Sequence, residues 1–227
     1  NAQYVGLRYD TIISGQPTGN LQYYKEEVMK AIGQLKGNLI IKYYPTRTAS
    51  VTTLIGHLQQ CEMQGIKPDM VLVDYADIMK STSKFTEKRH QIGHVYEELR
   101  GMAGEFDIPI WTASQANRSA LEEDVIGAEK VSEDYSKVMT ADFVMSMSRK
   151  VEDKIANTGR FHVIKNRFGP DGITFPATIN TNTGTIEIYD TNTQGGQDAQ
   201  GKMNNADEYI RKTLAQKKKD FDGGGFE

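Results

Sequence analysis

The sequence predicts an α/β fold: a central, mostly parallel sheet flanked by helices, with antiparallel strands on the C-terminal side. Three observations carry this. Met70-Val71-Leu72-Val73 is a continuous apolar run that ends in Asp74-Tyr75-Ala76-Asp77, and Pro68 and Asp69 bar a helix before it. A short apolar run between turn signals is a strand buried on both faces, as in a parallel sheet. Ile108-Pro109-Ile110-Trp111-Thr112-Ala113 is a second such run and ends in Ser114-Gln115. About 40 residues separate Asp74 from Gln115, the length of a βαβ unit whose right-handed crossover places both strands in one sheet. Beyond residue 140 the runs alternate apolar and polar, the mark of antiparallel strands with one buried face.

The elements follow in order. Tyr4-Val5-Gly6-Leu7 ends a strand or a helix, and Gly15 to Asn20 is a turn cluster. Asn20 caps a helix over 21–35 with one stripe of Tyr24, Val28, Ala31, Ile32 and Leu35, stopped by Gly37. Leu39 to Tyr44 is predicted as a strand closed by Pro45. Ser50 caps a helix over 51–64 that turns Val51, Leu54, Ile55, Leu58 and Cys61 inward, with Gly65 just past its end. The strand 70–74 follows, then a polar, basic segment over 78–90 and a helix over 88–104 packed through Ile92, Val95, Leu99 and Met102. After the strand 108–114 comes an acidic loop, Leu121 to Asp134. Strands are predicted over 141–147, 160–165, 173–179 and 185–189, the last two joined by a turn at Asn182-Thr183-Gly184. Residues 191–203, rich in Gly, Gln, Asn and Asp, read as a flexible linker. Asn204 to Lys219 reads as a terminal helix whose acidic start and basic end suit the macrodipole, and 220–227 as an acidic tail. The organisation is thus one domain over 1–190, a linker over 191–203 and a terminal piece over 204–227.

Composition narrows the function classes. With 27 basic and 30 acidic residues the net charge is −3, so bulk charge does not draw nucleic acid and any such contact comes from local patches. The lone Cys61 excludes a disulfide framework and suits a reducing, cytoplasmic setting; its plainest role is a small buried residue on a helix. No apolar stretch reaches the roughly 20 residues that span a bilayer, and the N-terminus has no signal-peptide pattern. His90 and His94 have the i,i+4 spacing of a zinc pair, but no third ligand has matching spacing.

Asp74 falls at the carboxyl end of its strand, where open α/β sheets bind ligands. A nucleotide-hydrolysing enzyme needs a carboxylate there to order a Mg²⁺ on the phosphates, directly or through water. This is the Walker B pattern; the bland alternative is a buried strand that ends in Asp. Gln115, expected on the same edge, suits a sensor of the γ-phosphate or an orienter of water. Lys165 and Arg167 end a later strand before Gly169-Pro170 and alternate onto one side; solvated basic residues are their bland reading.

Three segments, in order, resemble one family: Val71-Leu72-Val73-Asp74-Tyr75, Ser114-Gln115-Ala116-Asn117-Arg118-Ser119 and Lys165-Asn166-Arg167-Phe168-Gly169-Pro170. They are similar to the RecA-like motor domain of DnaB-type replicative helicases, and Tyr44-Pro45-Thr46 resembles the hexameric helicases of tailed phages more than bacterial ones. The resemblance covers roughly residues 20 to 190. It implies a RecA-like core, ATP or another NTP with Mg²⁺, and a ring hexamer that moves 5′ to 3′ on single-stranded DNA and unwinds duplex. It also implies primase or other replication-fork proteins as partners, and work in the cytoplasm, the host's if the source is a phage. Asp74, Gln115, Lys165 and Arg167 would be catalytic, with Asp74 on the metal and Asp74, Tyr75, Lys165 and Arg167 around the nucleotide. Lys165 and Arg167 would reach the neighbouring subunit's γ-phosphate, as an arginine finger does. Lys80, Lys84, Lys88 and Arg89 after the first strand, and Arg118 and Lys130 after the second, would meet DNA phosphates. The acidic neighbours Glu122, Glu123, Asp124, Glu129, Glu133 and Asp134 argue against the second loop.

One family feature is absent. No G-x-x-x-x-G-K-[ST] occurs in the 227 residues, and that loop supplies the N–H cradle and the lysine for the β/γ-phosphates. The chain starts at Asn1, and in the family that loop lies upstream of the region of resemblance, within the same domain. The expectation is a segment of a longer helicase, inactive by itself. The alternatives are a recombinase ATPase of the same RecA-like class and a DNA-bound scaffold or loader that lost the loop.

Overall fold

The computed structural model describes residues 21–34, 37–83, 86–117, 120, 123–130 and 135–223. The readings of residues 1–20, Lys84, Arg118, Glu122, Glu133, Asp134 and 224–227 lie outside the described residues.

Helix α1, Leu21–Gly33, is followed by a segment that departs from expectation. Residues 38–44 carry no strand. Leu39, Ile41 and Tyr43 are each more than 80% exposed. A strand needs a ladder partner, and among the described residues the first strand pairs with the second alone, which leaves this apolar run outside any sheet.

Helix α2, Val51–Met63, begins as the sequence predicts. Ser50 Oγ accepts from the Thr53 amide, and Thr53 Oγ1 accepts from the Ser50 amide, a reciprocal box that satisfies two orphan donors. Past its end Gly65 adopts φ +76°, a left-handed position that glycine takes without Cβ strain.

Strands β1, Val71–Val73, and β2, Ile110–Thr112, pair in parallel with Val73 opposite Thr112. Helix α3, Lys88–Phe106, forms the crossover and ends on Asp107 in the left-handed region. Its apolar stripe of Ile92, Val95, Tyr96, Leu99 and Met102 meets Val51 and Leu58 of α2 and the inward residues Val71, Val73 and Ile110 of the strands. This is the larger core. The expectation of strands buried on both faces is corrected: on the opposite face Leu72 is largely exposed and Trp111 about half exposed, because no described helix covers that side, although Trp111 meets the Phe143 ring edge-on at 5.8 Å.

The C-terminal half is a second, antiparallel sheet in the order β3-β4-β5-β6: Phe143–Ser148, Thr158–Asn166, Thr174–Asn180 and Thr185–Ile188. A register shift between Val144 and Met145 interrupts β3–β4 pairing, so that Val144 faces Lys165 and Met145 faces Val163. Two short helices lie outside the sequence expectation: α4, Ser136–Thr140, before β3, and α5, Val151–Ala156, between β3 and β4.

The linker expected over 191–203 is corrected. Helix α6 runs from Gln194 to Gly223 without interruption. Ala199 and Met203 are fully buried where α6 packs on α5 and β5. That burial overrides the poor helix propensity of the Gly/Asn/Gln-rich sequence. Among the described residues no helix is long and apolar enough to cross a membrane.

Candidate functional site

The parallel pairing brings the ends of β1 and β2 to one edge, as the βαβ spacing predicts. Asp74 and Tyr75 leave β1 there, and Ser114 and Gln115 leave β2 close by. Gln115 Nε2 donates to Tyr75 Oη at 3.0 Å, bridging the two strand ends. Thr112 Oγ1 donates to the Val73 carbonyl at 2.9 Å and accepts from the Ala76 amide at 2.9 Å, which locks the turn after β1 against β2.

Two carboxylates sit at this edge, in opposite states. Asp74 is exposed, and among the described residues its carboxylate makes no hydrogen bond or ion pair. Asp77 is nearly enclosed and saturated. It accepts from Ser114 Oγ at 2.9 Å and from Tyr96 Oη at 2.8 Å, and it pairs with Lys137 Nζ at 3.0 Å. Lys137, from α4, is 3% exposed and also donates to Ser114 Oγ at 3.0 Å. Its ammonium lies 5.6 Å from the centre of the Tyr96 ring. Burial, reinforced by the Asp77 carboxylate, pushes the Tyr96 phenol well above its usual pKa. Asp74 is therefore the carboxylate of the two that stays open to solvent, although among the described residues no group of three or more His, Cys, Asp or Glu side chains gathers to hold a metal ion.

Lys165 and Arg167 do not meet Asp74 or Gln115. They gather around the C-terminal end of α4. Lys165 Nζ donates to the Val138 carbonyl at 3.0 Å and the Met139 carbonyl at 2.8 Å, a lysine on the negative end of a helical turn. Arg167 Nη1 pairs with Asp142 Oδ1 at 2.9 Å, and its amide donates to the Asp142 carbonyl at 2.9 Å. Arg100 of α3 shares Asp142 Oδ1 at 3.0 Å and also reaches the Thr140 carbonyl. The two guanidinium groups hold the Asp142 carboxyl below the usual carboxylate range. Arg167 keeps a side chain 62% exposed, beside the exposed Phe168 at the turn after β4. Asn166 closes that turn, accepting from the Phe168 amide and donating to the Pro170 carbonyl.

The basic candidates separate. Lys80, Lys88 and Arg89 are exposed after β1, with Arg89 paired to Glu87 at 2.6 Å. Lys130 is held by Glu123 at 3.2 Å. The loop that carries it is latched to the free edge of β3: Ser146 Oγ donates to the Ile126 carbonyl and Ser148 Oγ to the Asp124 carbonyl. The Asp124 carboxylate pairs with Lys150 at 2.7 Å and Arg160 at 3.5 Å. Lys150 first, then Arg160, lowers its pKa. Part of the acidic charge expected to repel DNA is therefore paired with basic side chains at the surface. Sequence reasoning missed Lys137, Asp142 and Arg100; nothing local marks them, since each partner lies tens of residues away.

Comparison with known proteins agrees with this geometry. The family described as the DnaB-like helicase C terminal domain matches residues 13–183. A DnaB-like replicative helicase of Enterobacteria phage T4 is 29% identical over 137 residues, which are 59% of this chain and 29% of that protein; the phage flavour of Tyr44-Pro45-Thr46 agrees with its source. A solved structure described as an ATPase domain superposes with a TM-score of 0.67 at 18% identity, over 82% of this chain and 66% of that one. A DnaB-like replicative helicase solved in a study of its interactions with primase gives 0.64 at 18% identity, over 80% of this chain and 45% of that one. The chain thus spans less than a third of the T4 relative. Its βαβ edge, the three ordered motifs and the antiparallel strands β3 to β5 sit within the matched span, and the chain belongs to the DnaB-like helicase C-terminal domain family.

Proposed function

We propose that this chain is motor-domain sequence of a ring helicase that hydrolyses ATP or another NTP, translocates on single-stranded DNA and unwinds duplex during replication. The observation that carries the reading is the division of labour at the sheet edge. Asp74 is exposed and directly precedes the Tyr75 that Gln115 bonds, while Asp77 is saturated by Ser114, Tyr96 and Lys137. Asp74 would hold Mg²⁺, alone or through water. When bound, the ion neutralises charge on the β- and γ-phosphates. Gln115, fixed through Tyr75, orients water or senses the γ-phosphate. Arg167, held at an exposed turn away from this edge, suits a finger that acts on the nucleotide of a neighbouring subunit; Lys165 acts with it or anchors its strand. The finger in trans is what calls for a ring, taken as a hexamer.

Lys80, Lys88 and Arg89, together with Lys84 and Arg118 outside the described residues, are the proposed contacts to DNA phosphates. Lys130 contributes only if it exchanges Glu123 for phosphate. Primase or another fork protein is the proposed macromolecular partner and the cytoplasm the proposed site of work.

The test is Asp74→Ala in the protein expressed from its own gene. Mg²⁺-dependent NTP hydrolysis should be lost while nucleotide binding survives. A near-normal kcat would reduce Asp74 to an exposed carboxylate at a strand end. The second reading is a non-catalytic DNA-bound scaffold. That reading predicts DNA binding with no hydrolysis even in the unmutated protein.

A further inference from the structure

The Asp77–Lys137 pair is a buried charged cluster with no part in the hydrolytic roles assigned so far. Lys137 is 3% exposed, and its partners lie on three separate elements: Asp77 after β1, Ser114 after β2 and the Tyr96 ring on α3. Taking an ammonium and a carboxylate out of water is expensive, and such a pair is weak evidence for stability in itself. An apolar pair would fill the space at lower desolvation cost, so the pair must be judged by what it holds in place. At one end it grips Ser114, the residue before Gln115. At the other, the next two carbonyls of the same short helix, Val138 and Met139, hold Lys165. Thr140 and Asp142 then hold Arg100, and Asp142 also holds Arg167. Helix α4 is only five residues long, so its two ends cannot move independently.

We propose that Lys137 is a positioning residue: through Asp77 and Ser114 it sets Gln115 beside Asp74, and through α4 it ties that edge to the Lys165–Arg167 end of β4. The assignment of a hydrolytic role to these residues rests on the function proposed above. The mechanical link does not. A shift of Ser114–Gln115 on one side of α4 then displaces the carbonyls that seat Lys165 on the other, and the edge facing the chain's own nucleotide communicates with the basic pair facing outward.

The test compares Lys137→Met with the double variant Lys137→Met/Asp77→Asn. The single variant strands a buried carboxylate and is expected to lose stability; the double variant removes both charges and should fold. Val51→Ala, in the core between α2 and α3, controls for general loosening. In the 227-residue chain, two NMR signals are followed: the Gln115 side-chain amide, bonded to Tyr75, and the Arg167 backbone amide, bonded to Asp142. Both should move together in each folded Lys137 variant and stay in place in Val51→Ala. A folded Lys137 variant with both signals unmoved overturns the proposal. In the protein expressed from its own gene, the double variant should lower kcat by about 10²-fold with nucleotide KM within about twofold, the pattern of misplaced rather than missing binding groups. An unchanged kcat in an active protein also overturns it. If the unmutated protein hydrolyses no NTP while the two signals still move together, the functional reading fails and the link through α4 stands.

Discussion

Replacing Asp153 with alanine removes a carboxylate that is 1% exposed and bonded on three sides. Arg160 Nη1 donates to Oδ2 at 2.6 Å, the Lys150 amide to the same oxygen at 2.9 Å, and Thr158 Oγ1 to Oδ1 at 3.3 Å. Removing one partner of a buried ion pair costs about 3–5 kcal/mol. Arg160 keeps a second carboxylate, Asp124 at 3.5 Å, so the lower end applies, about 3 kcal/mol. The Lys150 amide is an orphan donor at the start of α5, and losing its acceptor adds about 1 kcal/mol. The sum, about 4 kcal/mol, lowers Tm by roughly 8–16 °C for a chain of this size. Urea unfolding followed by far-UV circular dichroism measures it, with calorimetry as the check on Tm. Glu152→Ala on the same helix is the control and should stay within about 0.5 kcal/mol. A loss under about 1 kcal/mol for Asp153→Ala would show that the β3–β4 junction does not depend on this cluster, and would refute the reasoning.

The Asp142 carboxyl lies below the usual range because Arg100 and Arg167 bond to it. Its contribution to stability is therefore present above the unfolded-state value of about 3.9 and is lost as the pH falls through the folded value. In an NMR titration, Arg100→Ala should bring the Asp142 pKa back toward the ordinary value; an unmoved titration would deny the shared pair. Arg167→Ala in the protein expressed from its own gene should lower kcat by about 10³-fold or more with nucleotide binding intact. Mixing those subunits with a variant disabled in phosphate binding should partly restore ATPase activity, because some interfaces then pair two intact halves; no recovery in rings shown to be mixed would sink a role in trans. Gly196→Ala should unseat the start of α6, because a Cβ there would lie 2.1 Å from the Asp190 carbonyl oxygen. The expected loss is about 1–3 kcal/mol, and full stability in urea would show that the backbone shifts freely at this turn.

The parts of the fold legible in the sequence are those whose signal is local. The run 70–74 announces β1 because four apolar residues abut a turn. Ser50 announces α2 because an N-cap residue sits directly before the helix it starts, whereas the Thr53 half of the box emerges only in the structure. Asp74, Tyr75 and Gln115 are legible for the same reason: each lies just after an apolar run, and the pairing of β1 with β2 places them together. Segment 38–44 has an equally apolar run yet no ladder, since a strand is defined by its neighbour and not by its own composition. Helices α4 and α5 are too short for a 3.6-residue period to show. Residues 194–203 look like a linker by propensity, and only the burial of Ala199 and Met203 makes them helical. Lys137 is invisible in the sequence because its partner, Asp77, is 60 positions earlier, and no periodicity couples them.

The sharing of Asp142 sets how readily Arg167 can leave its place. A guanidinium that is the sole partner of a carboxylate must abandon a charge when it moves, and that penalty opposes the motion. Here Arg100 stays on the same oxygen, Asp142 Oδ1, and anchors to the Thr140 carbonyl as well. Were Arg167 to swing toward an outside anion, Asp142 would remain neutralised by Arg100 and the seat would stay formed. The aspartate works as a parking place: it keeps an exposed arginine in one defined pose.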